Sequence, residues 1–554
     1  MPTPKHFRLS ALALLVANVC ALSLTAQADT GKTLTIDQTE VIGTLPLPSL
    51  GVPRDSIAAP VQSFTADDLS RTQSLGLADY LSRQVAGIYI NEIQNNPLQP
   101  DINYRGFTAS PLLGTPQGLS LYVDGVRMNQ PFGDVVSWDL IPTNAIASTQ
   151  LMPGTNPVFG LNTLGGALSV QTKNGRDNPG GAVQTTLGSY GRKIGEAEYG
   201  GSQGQWDWFV AGTYFEEDGW RDHSDSDAQN LFGKLGWRGE STDLKLTYSF
   251  ADTDLNGNGM VPKSFLRRDY DSVYTHPDNT QNTSNFVNLQ WDHDFSDNVT
   301  FSGNTYYRHI KTDTFNGDIN DESMPEGIGN PGQNILLTGG PYTTAANLAA
   351  CIAQFSPGGE PGEKCTGMIN RTNTVQSNAG VFSQFSVRNE LFGKDNTFAV
   401  GGGFDYSQAR FRQSAEYGAL TADRGIIGTG VFAEAGNAFN LDGDLDDRAV
   451  KLKGNTRTWS LYGSDTLTLS EGLNLTLAGR YNHVSVRNTD QLTHYELNGN
   501  ALSNVIDENA SLSGKHSFSR FNPAIGLTFS PTQSLTKIWK HFDDILSSLC
   551  SYII

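Results

Sequence analysis

Past its first thirty residues the chain has no apolar run near the ~18 residues that a membrane helix needs. That excludes a helical membrane protein and leaves a β-barrel open, because barrel strands are individually inconspicuous. Cations are scarce: Lys+Arg number 38 against 57 Asp+Glu in 554 residues, a formal charge of −19. Such a balance argues against nucleic acid, which needs a basic face for its phosphates. Charged residues are only 17% and apolar residues 38%, below the roughly 25% and about 45–50% of soluble domains. The 9 histidines show no H-E-x-x-H or similar metal spacing. No Ser/His/Asp or Cys/His arrangement announces an enzyme, and no phosphate-cradling glycine loop occurs. What the chain has in excess is glycine, 59 residues, beside 10% aromatics, and that composition predicts strands and turns.

The first segment reads as an address. Lys5 and Arg8 are followed by a nearly apolar stretch from Leu9 to Leu24 and by Ala26-Gln27-Ala28, a small-x-small cleavage site. Residues 1–28 are therefore expected to be a secretory signal peptide, with an N-terminal helical anchor as the alternative. Cys20 would leave with it. Cys351 and Cys365 lie 14 positions apart in a Pro/Gly-rich stretch. In an exported chain that spacing suits a loop disulfide worth about 3 kcal/mol. A metal pair is the weaker alternative, since no His or further Cys lies nearby. Cys550 is left over.

Residues 29–60 carry Pro46, Pro48, Pro53 and Pro60 and read as an extended periplasmic arm. Within it, T-L-T-I-D-Q-T-E-V-I-G (33–43) is β-prone and suited to pairing with another protein's sheet edge. Residues 61–180 read as a small mixed α/β domain. Strands are expected at Val61–Phe64, Ile88–Asn91, Leu119–Val123, Ser148–Met152 and Ala167–Thr172. A capping box at Thr65-Ala66-Asp67-Asp68 opens one helix. A second helix covers Leu77–Gln84, with Gly87 past its end. From 181 to 535 the texture becomes period-two alternation, as in Leu244, Leu246, Tyr248 and Phe250 against Lys245, Thr247 and Ser249. The strands exceed the usual five or six residues or so. Short turns (Ser241-Thr242-Asp243, Ser296-Asp297-Asn298, Lys394-Asp395-Asn396, Ser470-Glu471-Gly472) alternate with long polar loops around 251–283, 313–374, 410–455 and 488–516. Trp206, Tyr306, Tyr307 and Trp459 gather near strand ends. This is the pattern of an outer-membrane barrel. The fold class expected is mainly β: a transmembrane antiparallel β-barrel with an N-terminal mixed α/β plug.

Four segments occur in order: L-S-R-Q-V-A-G-I-Y-I (81–90), I-N-Y-R-G-F (102–107), L-Y-V-D-G-V-R-M-N-Q-P (121–131) and P-V-F-G-L-N-T-L-G-G-A-L-S-V-Q-T-K (157–173). They resemble the plug of TonB-dependent outer-membrane receptors, and the resemblance spans about residues 33–535. Within that family the chain is most similar to the receptors for ferric dicitrate and siderophores. The resemblance implies a 22-stranded barrel whose lumen is filled by the plug, in the outer membrane of a Gram-negative cell. It implies an extracellular Fe3+ chelate as cargo, with no resident cofactor or metal. It also implies TonB, with ExbB and ExbD, pulling on the arm from the periplasm, and outer-membrane lipid and lipopolysaccharide as surroundings. Thr39-Glu40-Val41-Ile42 resembles the TonB box. One departure is Met152-Pro153-Gly154 where the family carries Arg-Gly-Pro, whose Arg helps lock plug to barrel. Another is that no room exists for a periplasmic signalling domain.

Gln117, Arg127, Asn129 and Gln130, on loops expected to face the vestibule, are candidates to hold an anionic chelate through charge-assisted hydrogen bonds. For each, a structural hydrogen bond inside the plug is the competing expectation. Arg105, in the Arg-Gly-Phe motif, is expected to be structural. Asp252–Gly257 begins like a calcium loop but has Lys263 at the twelfth position, which rejects it. Asp442–Asp447 is expected to be a solvated loop. About 12 strands are expected, ending near residue 530. The tail 536–554 places Ile538, Phe542, Ile545, Leu546 and Leu549 at helical spacing. With Cys550, that predicts a frame disrupted near 536 and a C-terminally truncated, incomplete barrel; a genuine short member is the alternative. The function expected is import of an iron chelate. Alternatives are import of cobalamin, a saccharide or another metal complex, a non-transporting surface receptor or adhesin, or a passive porin.

Overall fold

The computed structural model describes residues 41–42, 52–53, 57, 59–154, 157–320, 345–354, 365–433, 450–492, 495–498, 501–506, 511–532 and 535–541. The signal segment, Thr39, Glu40, Asp442–Asp447 and Cys550 lie outside the described residues. Two short strands come first in sequence, β1 (Val41–Ile42) and β2 (Val52–Pro53).

The plug begins at β3 (Gln62–Thr65). Thr65 then caps a helix over Ala66–Thr72: its hydroxyl accepts from the Asp68 amide, and Asp68 Oδ2 accepts from the Thr65 amide at 3.0 Å. Those reciprocal bonds satisfy amides the helix leaves orphaned. A second helix, Leu77–Gln84, buries Leu77, Ala78, Tyr80 and Leu81. Its spacing of apolar residues puts them on one face. Gly87, at φ 84°, turns the chain into β4 (Ile88–Asn91). A three-stranded antiparallel sheet follows from β4, β5 (Asp101–Tyr104) and β6 (Phe107–Ala109).

The second plug sheet contains β7 (Leu119–Val123), β8 (Val126–Arg127), β9 (Ile146–Pro153) and β10 (Gly166–Thr172), in the order β3-β9-β10-β7-β8. Only β10 and β7 pair in parallel among these. Asp124 and Gly125 join β7 to β8 with φ of 48° and 82°. Two left-handed residues in a two-residue hairpin make a type I′ turn, for which Asp-Gly is a favoured pair. The core between helices and sheets holds Leu81, Ile102, Leu121, Leu151, Leu168 and Val170, all buried.

A 14-stranded sheet follows. Its strands are β11 (Gly180–Leu187), β12 (Lys193–Gln203), β13 (Trp206–Glu217), β14 (Ser226–Arg238), β15 (Thr242–Asn256), β16 (Asp278–Ser296), β17 (Val299–Ile319), β18 (Gly367–Leu391), β19 (Lys394–Leu420), β20 (Ile426–Ala433), β21 (Val450–Ser470) and β22 (Leu473–Asp490). A separate hairpin, β23 (Tyr495–Asn498) and β24 (Ala501–Ile506), precedes the last two strands, β25 (Gly514–Thr532) and β26 (Leu535–His541). Consecutive strands pair antiparallel along the whole path, and β20 adds to β19. Leu244, Leu246 and Tyr248 are 38–46% exposed while the alternating Thr247 and Ser249 are 0% and 8% exposed. The apolar face points out and the polar face points in. That inversion suits lipid outside and a polar lumen inside.

The sheet departs from the sequence expectation in three ways. First, the strands continue into segments expected as loops: β19 has 27 residues, about 90 Å of chain at roughly 3.4 Å each. The apolar band of such barrels is only about 25 Å tall. Beyond it the end of β19 is buried on both faces, Ala415, Glu416, Tyr417, Ala419 and Leu420 alike, so alternation stops although the ladder continues. Second, the sheet has 14 strands rather than about 12. The glycine-containing β11 and the short β20 lack the signal. Third, residues 535–541 form an edge strand on β25, with Leu527 opposite Trp539 and Phe529 opposite Lys537. Of the residues expected at helical spacing, Ile538 is on this strand, and Phe542, Ile545, Leu546 and Leu549 lie outside the described residues.

Candidate functional site

The polar inner wall of the large sheet holds the plug at contacts contributed by strands far apart in sequence. At the tip of the β7–β8 hairpin, Asp124 Oδ2 lies 2.9 Å from Lys234 Nζ of β14, and both side chains are almost wholly buried. Thr172 donates to the same carboxylate from its amide (3.0 Å) and its hydroxyl (2.6 Å). Lys234 also donates to the Thr172 carbonyl at 3.2 Å. Asn288 and Gln290 of β16 donate to the Asp124 carbonyl at 3.1 and 3.0 Å. Burial alone would push the Asp124 carboxyl up, but Lys234 and the Thr172 bonds outweigh it and hold the group below its usual range. A buried charge is tolerated only when paired and fully bonded, as here.

Further along the same hairpin, Arg308 of β17 donates to the Met128 carbonyl (2.7 Å) and the Asn129 carbonyl (3.2 Å). Gln376 of β18 donates to Gln130 Oε1 at 2.5 Å and accepts the Phe132 amide at 3.0 Å. Phe132 stacks on Phe411 of β19 at 4.9 Å. Arg480 of β22 donates to the Val158 carbonyl at 2.8 Å. Gly160, at φ 105°, sits against that guanidinium. A Cβ there would approach it to 3.2 Å in a backbone region that L side chains avoid.

Asp139 is the exception to this pairing of charges. Its Oδ2 accepts from Thr253 Oγ1 (2.8 Å) and Asn282 Nδ2 (2.9 Å), but no cation reaches it among the described residues. Burial therefore pushes its carboxyl up, against the pull of those two bonds.

The four residues singled out in the sequence sit in this framework. Gln117 exchanges bonds with the Ser110 backbone (2.8 and 3.1 Å). Asn129 accepts the Leu121 amide and donates to the Leu119 carbonyl (2.9 and 3.0 Å), closing the hairpin. Arg127 pairs with Asp134 at 2.8 Å and is half-buried. Burial would lower its guanidinium, but Asp134 and Tyr122 leave it raised. Gln130 bridges Ser137 and Gln376. Met152, where the family's Arg would stand, is buried among Ile57, Val61, Tyr122, Phe159 and Ala167. Cys351 and Cys365 are joined in a disulfide buried against Met368, Ala415 and Tyr417. Sequence reasoning missed Lys234, Arg308 and Arg480. Their signal was there: a cation on the polar, inward face of a strand otherwise outward-apolar.

A family description, TonB-dependent Receptor Plug Domain, matches residues 53–167, and a second, TonB dependent receptor-like, beta-barrel, matches residues 219–538. The second alone covers more than half the chain, so the chain belongs to the TonB-dependent receptor family. That is a family of outer-membrane receptors and transporters, not of enzymes. Among solved structures, the unliganded ferric citrate transporter FecA is 12% identical with a TM-score of 0.60, the match covering 86% of this chain and 61% of that one. The ferric-catecholate import receptor Fiu of E. coli K12 in its open form is 14% identical with a TM-score of 0.63, covering 87% and 69%. BauA, the ferric preacinetobactin receptor of Acinetobacter baumannii, is 12% identical with a TM-score of 0.60, covering 89% and 65%. This chain thus spans about three fifths of the length of the ferric citrate transporter. Such identities carry the fold, and leave the cargo open.

Proposed function

We propose that this protein imports an iron chelate, ferric citrate or a siderophore complex, with energy delivered through TonB. The observation that carries the reading is the charge-paired plug in the sheet's polar interior. Contacts from β14, β16, β17, β18 and β22 hold it. Breaking them costs work, so cargo does not pass by diffusion, and an external pull is needed. The segment Thr39-Glu40-Val41-Ile42 receives that pull. Val41–Ile42 is strand-forming, as addition to a partner's sheet edge requires. TonB acts with ExbB and ExbD, and an N-terminal signal peptide delivers the chain to the outer membrane. Gln117, Arg127, Asn129 and Gln130 support the chelate-facing loops through the bonds above rather than as free ligands. The iron-chelate cargo rests on the three similar structures, a ferric citrate transporter, a ferric preacinetobactin receptor and a ferric-catecholate import receptor.

The test is accumulation of labelled ferric citrate and of single purified ferric siderophores in iron-limited cells. Accumulation of one of them is expected only when this protein and TonB are both present. Equal uptake without TonB would refute the reading. Uptake of cobalamin or a saccharide alone would keep the mechanism and change the cargo.

A further inference from the structure

Three of the sheet's connections meet at one pair of rings. His223, between β13 and β14, stacks on His276, between β15 and β16, with ring centroids 3.7 Å apart and planes inclined by 13°. The turn between β19 and β20 closes on the same place. The His276 amide donates to the Arg424 carbonyl at 3.1 Å, His276 and Gly425 form a parallel bridge, and His276 Nε2 lies 4.0 Å from Asp423 Oδ2. A Cβ at Gly425 would come within 2.9 Å of the His276 ring, so only glycine admits this approach. All three connections lie at the end of the sheet away from the short turns at 239–241, 297–298, 392–393 and 471–472.

Contacts made elsewhere bring the rings together. His223 has φ 54°, a left-handed conformation that His adopts more readily than most side chains. Asn258 fixes it, donating to the carbonyls of Asp222 and His223 at 3.3 and 3.1 Å and to the Ser224 hydroxyl at 2.7 Å. The Asp222 amide donates to the Asp271 carbonyl at 2.9 Å, a second link between the same two connections. In the β19–β20 turn, Arg424 donates from Nε to the Tyr274 carbonyl. Its guanidinium lies 4.7 Å from the Tyr274 ring and 5.0 Å from the Phe265 ring.

Neutral imidazole rings can lie face to face, but two imidazolium rings at that separation repel. The charged groups around the pair, among the described residues, come from each element packed there. Asp222 adjoins His223, and Asp423 and Arg424 lie in the β19–β20 turn. Asp269, Asp271 and Asp278 flank His276 on its own chain, and Asp318 of β17 lies near Asp278. Asp423 and Asp222 favour a charged His276 ring, but burial first, and then His223, outweigh them and hold the ring below its ordinary value. Asp423 is 73% exposed, so its pull is screened by water. With the folded value lowered, the closed arrangement is favoured above the unfolded value of about 6.5. That advantage is lost as pH falls from there through the folded value.

We propose that His223 and His276 form a proton-operated latch across the β13–β14, β15–β16 and β19–β20 connections: neutral rings keep the three joined, and protonation in mild acid releases them. The proton comes from the surrounding water, and no bond other than N–H forms. Long connections of outer-membrane barrels face the cell exterior, so the latch responds to the pH outside the cell. It goes beyond the import reading and is independent of the cargo.

The test is amide exchange of the full chain in detergent, read by mass spectrometry and corrected for the intrinsic rate at each pH. Protection of 218–225, 263–277 and 421–426 is expected to fall together, by about threefold or more, between about pH 7.5 and about pH 5. The plug helix Leu77–Gln84 is expected to keep its protection over that range. His276→Phe keeps a flat ring that cannot titrate. It is expected to abolish the acid response and to leave protection at neutral pH unchanged. Asp423→Asn removes a carboxylate that favours the charged ring, and is expected to enlarge the response, which a merely packed histidine would not show. If His276→Phe already loses protection at neutral pH, His223→Asn decides. Asn tolerates the left-handed backbone, and removing one of the two rings should shrink the acid response. A response that is absent from the wild type, unchanged in both histidine variants, or shared by the plug helix overturns the proposal. None of these readings involves a chelate, so import stands or falls separately on uptake by cells.

Discussion

Lys234 and Asp124 form a buried ion pair that docks the plug hairpin on β14. Replacing Lys234 by Met leaves a buried carboxylate with Thr172 and no cation. Breaking one partner of a buried pair costs about 3–5 kcal/mol. Lys234→Met should therefore lower the melting temperature sharply, and Asp124→Asn in the same chain should restore most of the loss, a pattern that calorimetry of the double-mutant cycle reads directly. The Asp124 carboxyl is held below its usual range. Its stabilisation is present above the unfolded value near 3.9 or so and is lost only as pH falls through the lowered folded value. Asp139 behaves oppositely. Its folded value is raised, so its contribution is present in acid and is lost as pH rises through that value. Asp139→Asn keeps acceptors for Thr253 and Asn282 and cannot ionise. It is expected to raise the melting temperature at neutral pH and to flatten the fall in stability as pH rises from the unfolded value of about 3.9 through the raised folded value. A lower melting temperature at pH 7 would show that the carboxylate is favourable there.

At the scale of elements, local signals and long-range pairing separate cleanly. The helix at Leu77–Gln84 and the strands at Ile88–Asn91 and Leu119–Val123 stand where the sequence puts them. A capping box, a glycine past a helix and an apolar run are each read from a few neighbouring residues. Strands β5 and β6, of four and three residues, are too short to show a period. The upper parts of β18 and β19 escape notice because Met368, Ile369, Ala415, Glu416, Tyr417 and Leu420 are buried on consecutive positions, which leaves no period-two pattern. The site was less legible than the fold. Gln117 and Asn129 stand out by type and place, but their partners are backbone groups that only the folded plug brings near. Lys234 and Arg480 find theirs across a separation of 110 or more positions. The Cys351–Cys365 link ties the helix Ala345–Gln354 to the top of β18 and β19. Replacing both cysteines by serine should cost about 3 kcal/mol or less through loop entropy. The expected result is faster amide exchange in that helix with no change in the plug. Val41→Pro removes an amide donor from the strand-forming segment. Chelate binding to whole cells should persist while uptake stops; loss of binding as well would place Val41 in the fold rather than in coupling.

At the scale of the molecule, the proposed import makes the plug bonded to the polar inner wall of the sheet a gate that opens when pulled. The inward cations Lys234, Arg308 and Arg480, on three different strands, hold plug carbonyls or carboxylate, so opening requires the plug to shift as a whole or to unfold locally. The sharpest test pins it in place. Cysteines at positions 139 and 253, whose native side chains are in hydrogen-bond contact at 2.8 Å, would tie plug to wall. Uptake of the labelled ferric chelate by cells carrying the oxidised double variant, before and after a mild reductant, is the measurement. The account predicts no uptake when the link is closed and recovery when it is opened. Undiminished uptake with the plug tied would contradict it.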